Sequence, residues 1–250
     1  MSAVLETRSL CKSFGALTVA ANIDFRLEAG ARHALIGPNG AGKTTFVNML
    51  TGRLAPSSGR ILLGGENITR LAQAARVARG LGRTFQINTL FRDLSVLDNV
   101  ALGVAERRGV AGRMWRPASG YREIRDESMA LLATLGLAED APRRVLDLPY
   151  GKQRLVEIAI ALGLRPKVLL LDEPAAGVPS VDAERILQVL DRLPPDIAIL
   201  IIEHDMDLVF RFARRITVLV QGEVLVEGPP NEIGRDRRVH QVYLGESHHA

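Results

Sequence analysis

Two clusters of residues have the types and spacing to work on a phosphorylated substrate. The first is Gly37-Pro38-Asn39-Gly40-Ala41-Gly42-Lys43-Thr44-Thr45, which fits G-x-x-x-x-G-K-[ST], the pattern of a phosphate-binding loop. Glycines there permit positive φ and let the backbone approach a ligand with no Cβ in the way. Consecutive N–H groups can then ring a phosphate while the following helix turns its positive end to the same place. Lys43 has the reach to meet the β/γ-phosphates, and the Thr44 hydroxyl can ligate Mg²⁺. The second cluster is Asp172-Glu173-Pro174, directly after the apolar run Val168-Leu169-Leu170-Leu171. A carboxylate at the C-terminal end of a buried strand, in the same sheet as a phosphate loop, stands where Mg²⁺ needs an oxygen, which assigns Asp172. Glu173, one residue later, can orient or deprotonate a water attacking the γ-phosphate. The plainer alternatives, a chance glycine-rich turn and a pair of loop-capping acids, fit less well beside each other than either does alone.

The elements around these clusters are those that would hold them. Ala34-Leu35-Ile36 reads as a buried strand running into the loop and Thr44 to Leu50 as a helix running out. Before them, Val4 to Leu10 and Asn22 to Leu27 alternate as strands. Lys12-Ser13-Phe14-Gly15 between them reads as a turn carrying an exposed aromatic. Pro56-Ser57-Ser58-Gly59 is a turn, Arg60 to Leu63 a short strand, Ala72 to Ala78 a helix closed by Gly80, and Leu81 to Phe85 a strand leading to Gln86. From Ile87 to Leu146 strand signals stop. A short helix around Leu94 to Val100 and a longer one from Glu123 to Leu135 suggest a helical insertion. Within it Arg107, Arg108, Arg113, Arg116, Arg122 and Arg125 surround Trp115, a stretch better read as a solvated loop with an anchoring aromatic than as a docking surface. Leu155, Ile158, Ala159 and Leu162 mark an amphipathic helix starting near Gly151. Val168 to Leu171 and Ile197 to Ile202 read as strands buried on both faces. Between them a helix runs to just before Pro194-Pro195, with Ser180 as its cap and Asp182 and Glu184 complementing its dipole. Ile216 to Val220 and Val224 to Val226 form a hairpin, and a helical tail passes through Val242-Tyr243-Leu244. Repeated βα units of this kind imply a mainly parallel sheet covered on both faces.

A chain of 250 residues, 47% hydrophobic and 24% charged, is an ordinary globular protein with room for one large core. Its net charge of +4 and pI near 9.6 are compatible with an anionic partner without requiring one. The single Cys11 excludes an internal disulfide and fits a reducing compartment. No secretory signal is visible, and the longest apolar runs are far too short for a membrane span. The expectation is a chain soluble by itself, whose membrane role, if it has one, requires a partner.

The order of motifs resembles the nucleotide-binding domains of ABC transporters, over almost the full length. It comprises the glycine-rich loop, Gln86 at a strand end, Leu148-Pro149-Tyr150-Gly151-Lys152-Gln153, Asp172-Glu173, and His204 after Ile201-Ile202-Glu203. That resemblance implies an α/β, P-loop NTPase core with a mainly parallel sheet, an N-terminal antiparallel β subdomain and a helical insertion. The boundaries would be a helical subdomain at about 87–160 within one domain of 1–250, and a tail at 229–250. It also implies roles. Phe14 stacks on adenine; residues 37–45 and Lys43 bind the phosphates of ATP. Thr44, Gln86 and Asp172 surround Mg²⁺, Glu173 is the catalytic base, and His204 is the switch at the γ-phosphate. Tyr150, Gly151 and Lys152, in the segment from Leu148, close over ATP held by a second subunit, self or paralogue, in a head-to-tail dimer. Two departures stand out. Pro149 replaces the family's serine and offers neither hydroxyl nor N–H, though it can set the start of a helix. Ala175-Ala176-Gly177-Val178-Pro179 replaces the usual aspartate loop, with Asp182 further on.

A finer resemblance, in Arg83-Thr84-Phe85-Gln86, Leu90-Phe91, Asp172 to Gly177, Ile202 to Met206 and Tyr243-Leu244-Gly245-Glu246, is to the ATPase subunits of branched-chain amino acid importers. It implies permease subunits, an indirect link to a solute-binding protein, no nucleic acid, and a peripheral place on the cytoplasmic face of the inner membrane. Leu90 and Phe91 would either line a groove for a permease helix or anchor the insertion to the sheet. Related ATPases serving urea, amides or lipopolysaccharide export share much of this pattern. A soluble ABC ATPase acting on ribosome or DNA is the reading from another class, disfavoured by a single cassette with a short insertion. A non-catalytic nucleotide sensor is disfavoured by Glu173 and His204.

Overall fold

The computed structural model describes residues 3–84, 90–110 and 121–245. Phe85, Gln86, Trp115, Arg113, Arg116 and Glu246 fall outside these. In chain order the strands and helices are β1 (Ala3–Phe14), β2 (Leu17–Glu28), β3 (Arg32–Ile36), α1 (Lys43–Thr51), β4 (Ser58–Leu63), β5 (Glu66–Asn67), α2 (Gln73–Ala78) and β6 (Leu81–Arg83). There follow α3 (Val96–Arg107), α4 (Arg122–Thr134), α5 (Tyr150–Gly163), β7 (Val168–Asp172), α6 (Ser180–Asp191), β8 (Ala198–Ile202) and α7 (Met206–Phe212). The chain closes with β9 (Arg215–Val220), β10 (Glu223–Gly228), α8 (Pro230–Ile233) and α9 (Arg237–Gly245).

Two sheets result. One is antiparallel, in the order β2-β1-β4-β5; the other is six-stranded, β10-β9-β3-β8-β7-β6, parallel throughout except where β10 turns back on β9. The apolar strands lack alternation because each feeds two cores. Leu169, Leu171, Ile199 and Ile201 face the layer of helices. Leu170, Ala198, Leu200 and Ile202 face α1 and the antiparallel sheet, where Phe25 and Phe46 meet edge to face at 5.6 Å between centroids. Between β6 and β7 the regular elements among the described residues are helical, α3, α4 and α5. There α3 lies against α5 so closely that a Cβ on Gly103 would come within 2.5 Å of the Ile160 carbonyl.

Several expectations shift. The turn between the first strands is shorter than Lys12 to Gly15, because Lys12, Ser13 and Phe14 go on pairing with Ala20, Thr18 and Leu17. Ser180 does not cap α6. It is the first helical residue, and the capping position belongs to Pro179, which has no side-chain acceptor. Arg107 and Arg108 do not belong to a solvated basic loop. They close α3 and hold α4 through Glu127 and Glu123. Two elements went unforeseen: β5, too short for alternation to reveal, and α7, whose Asp205 cap accepts from the Asp207 and Leu208 N–H groups. The β9–β10 hairpin turns through Gln221 and Gly222, at φ 48° and 83°, as a two-residue turn of the type that matches strand twist.

Arg76 is the largest fully buried side chain, with no carboxylate bonded to it among the described residues. Its guanidinium donates to the carbonyls of Met49 and Leu50, at the end of α1, and of Thr69 and Leu71. The negative end of the α1 dipole and four acceptors take the place of a counter-ion. Arg76→Ala strands those carbonyls, so we expect a loss of about 3 kcal/mol in chemical denaturation, with activity falling only as the fold does.

Candidate functional site

Parallel pairing sets the site. Leu35 on β3 lies beside Ile202 on β8, and Ile202 beside Asp172 on β7. The three strands therefore end at one level, and the loops that leave them emerge side by side. From β3 comes the Gly37–Thr45 loop. Gly42 sits at φ 98° before α1, and a Cβ there would meet the Val19 carbonyl of β2 at 2.7 Å, so only glycine fits. The far side of the loop is held by the β9–β10 turn, where the Gly222 N–H donates to the Ala41 carbonyl and the Ala21 N–H to the Gly222 carbonyl. Lys43 lies back along its loop, its Nζ donating to the carbonyls of Gly37 at 2.6 Å and Pro38 at 2.9 Å. Thr44 is exposed on the first turn of α1.

The strand β7 delivers Asp172 to the same edge. Arg83, at the end of β6, donates to Asp172 Oδ2 at 2.7 Å and to Asn48 Oδ1 on α1 at 3.0 Å. One guanidinium thus locks β6, β7 and α1 together and leaves Asp172 Oδ1 with no partner among the described residues. An exposed hydroxyl and a free carboxylate oxygen are hard donors that suit Mg²⁺, so Thr44 and Asp172 fit the ion. Glu173 follows at φ 47°, a left-handed conformation that costs a non-glycine residue of order 1 kcal/mol and tends to mark functional turns. Its N–H donates to the Ile202 carbonyl, and its Oε1 comes within 3.6 Å of His204 Nδ1. Both side chains are open to solvent.

Beneath this pair lies a residue whose role sequence reasoning missed. Glu203 is buried, and its two oxygens accept the N–H groups of Ala175 at 3.2 Å and His204 at 3.3 Å. It ties the loop after β7 to the loop after β8. Burial raises its carboxyl, opposed by those two N–H groups. Nothing but the position of an acid between an apolar strand and His204 hinted at this. Arg83 is a second such residue, a clamp that no local pattern in the sequence announces.

The remaining expected residues fall into separate places. Phe14 is 52% exposed at the end of β1, its ring under Lys12 Nζ at 4.9 Å. Tyr150, Gly151 and Lys152 open α5, and no hydrogen bond or ion pair among the described residues links them to the Gly37–Thr45 loop. Pro149 is the residue before α5, at φ −54°, and offers no side-chain cap. Gly151 packs on Asp182, where a Cβ would be 2.9 Å away. Lys152 Nζ is taken by Asp140 at 2.6 Å. Gln86 is outside the described residues. Leu90 is buried and Phe91 is 58% exposed; both line a cavity of about 220 Å³ between the sheet edge and α3 and α5. Asn99 on α3 bonds both the N–H and the carbonyl of Phe91, so the rim is fixed.

A phosphate loop, a strand-end carboxylate and a following acid at one edge of a parallel sheet define a P-loop nucleotide hydrolase. Residues 20–176 match the family described as ABC transporter, and the chain belongs to that family, whose activity is ATP hydrolysis coupled to transport. It is 36% identical over 98% of both chains to the high-affinity branched-chain amino acid transport ATP-binding protein BraF of Pseudomonas aeruginosa. The same figures hold for LivG of Escherichia coli K12, described in the same words. The crystal structure of the ADP conformation of MJ1267, an ATP-binding cassette of an ABC transporter, superposes with a TM-score of 0.88 at 29% identity, covering 98% of this chain and 100% of that one.

The wall of the 220 Å³ cavity includes Glu157, whose carboxyl is pushed up to about 7 by burial, with Arg154 opposing. Between the ordinary value of 4.5 and about 7 the folded chain holds a proton that the unfolded chain has released. Stability from this group is therefore complete below pH 4.5 and lost as pH rises through 7. At about 1.4 kcal/mol per unit, urea denaturation from pH 4.5 to 7.5 should show a fall of about 2–3 kcal/mol that Glu157→Gln removes.

Proposed function

We propose that this chain hydrolyses ATP as the motor subunit of an importer for branched-chain amino acids. The observation that supports the reading most is the convergence of the Gly37–Thr45 loop, Asp172, Glu173 and His204 at one sheet edge. The solute follows the two relatives that match the chain along 98% of its length, both branched-chain amino acid transport ATP-binding proteins. The domain is a single cassette over 1–250, with its helical subdomain at about 87–160 and a tail at 229–250.

In this proposal the loop amides and Lys43 hold the β/γ-phosphates, with Lys43 exchanging its bonds to Gly37 and Pro38 for phosphate oxygens. Phe14 stacks on the base. Mg²⁺, held by Thr44, Asp172 and Gln86, supplies charge neutralisation on the transferring phosphoryl group. Glu173 accepts the proton of the attacking water, and its strained backbone aims it there. His204, placed by Glu203, stays beside it and meets the γ-phosphate. The start of α5, with Tyr150, Gly151 and Lys152, serves the other site of a head-to-tail dimer. Pro149 fixes the helix start, and uncapped N–H groups behind it face the partner's phosphate. Permease subunits hold the dimer at the cytoplasmic face of the membrane. No helix among the described residues is long and apolar enough to cross it.

Glu173→Gln tests the chemistry. Its amide cannot take the proton, so single-turnover hydrolysis should fall about 10²–10⁴-fold, and an ATP-bound dimer should accumulate on size-exclusion chromatography. Undiminished hydrolysis would move the base elsewhere.

Phe91→Asp tests the membrane role. Phe91 is largely exposed, so the melting temperature should stay within a few degrees by circular dichroism, while co-purification with the permease is lost. A collapsed melt, as expected for a carboxylate buried in a core, or undisturbed co-purification, would reject the groove as the permease site.

A further inference from the structure

The sheet edge opposite the Gly37–Thr45 loop carries another cavity, of about 590 Å³, within the roughly 300–1,000 Å³ of pockets that enclose small-molecule ligands. It lies where β3 and β9 begin and where β2 and β10 end. Its charged wall sets four guanidiniums, of Arg26, Arg32, Arg214 and Arg215, against two carboxylates, of Glu28 and Glu227. The backbone around it is fixed. The β2–β3 turn passes through Gly30 at φ 71°, so close to the next loop that a Cβ would come within 2.1 Å of the Pro195 carbonyl. Arg32 is only 5% exposed, and its guanidinium donates to the carbonyls of Ile197 at 2.8 Å and Leu193 at 3.2 Å.

Internal pairing decides which of these charges a ligand can meet. Glu227 is engaged on both oxygens, by Arg215 Nε and, at 2.7 Å, by the Thr217 hydroxyl. Thr217 gives its one proton there, so at its 2.8 Å contact with His33 Nε2 the imidazole is the donor. His33 carries no charge near neutral pH, because burial lowers it to about 4, with Glu227 opposing. Among the described residues no ion pair reaches Arg26, Arg32 or Arg214, and the side chains of Arg26 and Arg214 make no hydrogen bond. Glu6, which feels the charge of Arg26, is bonded to Arg8. Burial pushes Arg32 below its ordinary value, with Asp191 opposing and Arg214 adding to the fall. Three positive charges therefore share one concave surface, offset in part by Glu28.

Guanidinium forks match the oxygens of a carboxylate or a phosphate two at a time. A lone carboxylate brings one charge and two oxygens. A phosphomonoester brings close to two charges and three acceptor oxygens, which suits two free forks beside a third, buried charge. The volume leaves room for the body of the molecule as well. We propose that this cavity binds a small phosphomonoester, its phosphate held by Arg26 and Arg214 and supported by the buried charge of Arg32. The site is separate from the hydrolytic one. Arg32 and Gly37 are five residues apart along and just past β3, roughly 16 Å at about 3.3 Å per residue.

The test uses the full-length chain, first saturated with Mg-ADP so that the Gly37–Thr45 loop is filled. It is then titrated calorimetrically with glycerophosphate, with glycerol as the control. We expect one saturable site for the phosphate ester, weakened by added salt, and none for glycerol. Arg26→Gln combined with Arg214→Gln should lower the affinity about tenfold or more, with the melting temperature held within a few degrees because both side chains are exposed and unbonded. Each single substitution should lower it severalfold, and this comparison stands even where the double variant melts early. Lys43→Ala should leave this affinity unchanged. Absence of a saturable site, equal affinity in the arginine variants, or loss of binding in Lys43→Ala overturns the proposal. Sedimentation with phosphatidylcholine vesicles containing phosphatidic acid, without any binding of glycerophosphate, assigns the arginines to a membrane surface and overturns it too.

Discussion

Backbone hydrogen bonding between β3, β8 and β7 is the interaction on which the site depends. Their parallel register places Leu35, Ile202 and Asp172 in one row, so a slip of one residue in any strand would turn its core-facing side chains over and move its loop out of line. The row is secured by burial on both faces, with alternate residues of β7 and β8 assigned to two different cores. The geometry of this sheet edge is therefore set by packing far below it.

On that platform, polar side chains make the finer adjustments. Arg83 joins the end of β6 to Asp172 and to Asn48 on α1. Glu203 joins the loops after β7 and β8 from beneath. Each is largely buried, and each spends its hydrogen bonds on the backbone or side chain of a neighbouring element. Arrangements of this kind restrict a loop without filling the space its ligand needs. Glu173 adopts a left-handed backbone conformation at the point where the chain must leave the sheet and still present a carboxylate beside His204.

The helical layer follows a different logic. Its contact with the sheet runs through α5, whose first turn packs on Gly177 and Asp182 and whose later turns carry Glu157 to the cavity beside Phe91. One helix therefore spans the distance between the segment around Gly151 and the cavity beside Phe91. Close approach of α3 to α5 at Gly103 packs the two helices backbone against backbone.

What the amino-acid sequence determined by itself was the part that is local. The run Gly37 to Thr45 specifies its loop because the needed φ values, N–H groups and helix start all lie within nine residues. The unbroken apolar runs at Val168 and Ile197 announced a sheet covered on both faces, and Asp172-Glu173 marked where one of those strands must end. The tertiary structure decided what depends on residues distant in the chain. Arg83 could be known as a clamp only once β6 lay beside β7. Glu203 could be known as a brace only once two loops shared an edge, and Arg107 with Arg108 as ties to α4 only once Glu127 came within reach. Ser180 yielded the capping position to Pro179 by a single residue, a distinction that composition cannot resolve because both can open a helix. Leu90 and Phe91, adjacent and alike in character, were separated into core and rim by Asn99, which fixes the backbone between them. For Arg83, Glu203, Arg107 and Arg108 the deciding force is a hydrogen bond or ion pair closed between residues far apart in the chain, and no pattern confined to neighbouring positions records it.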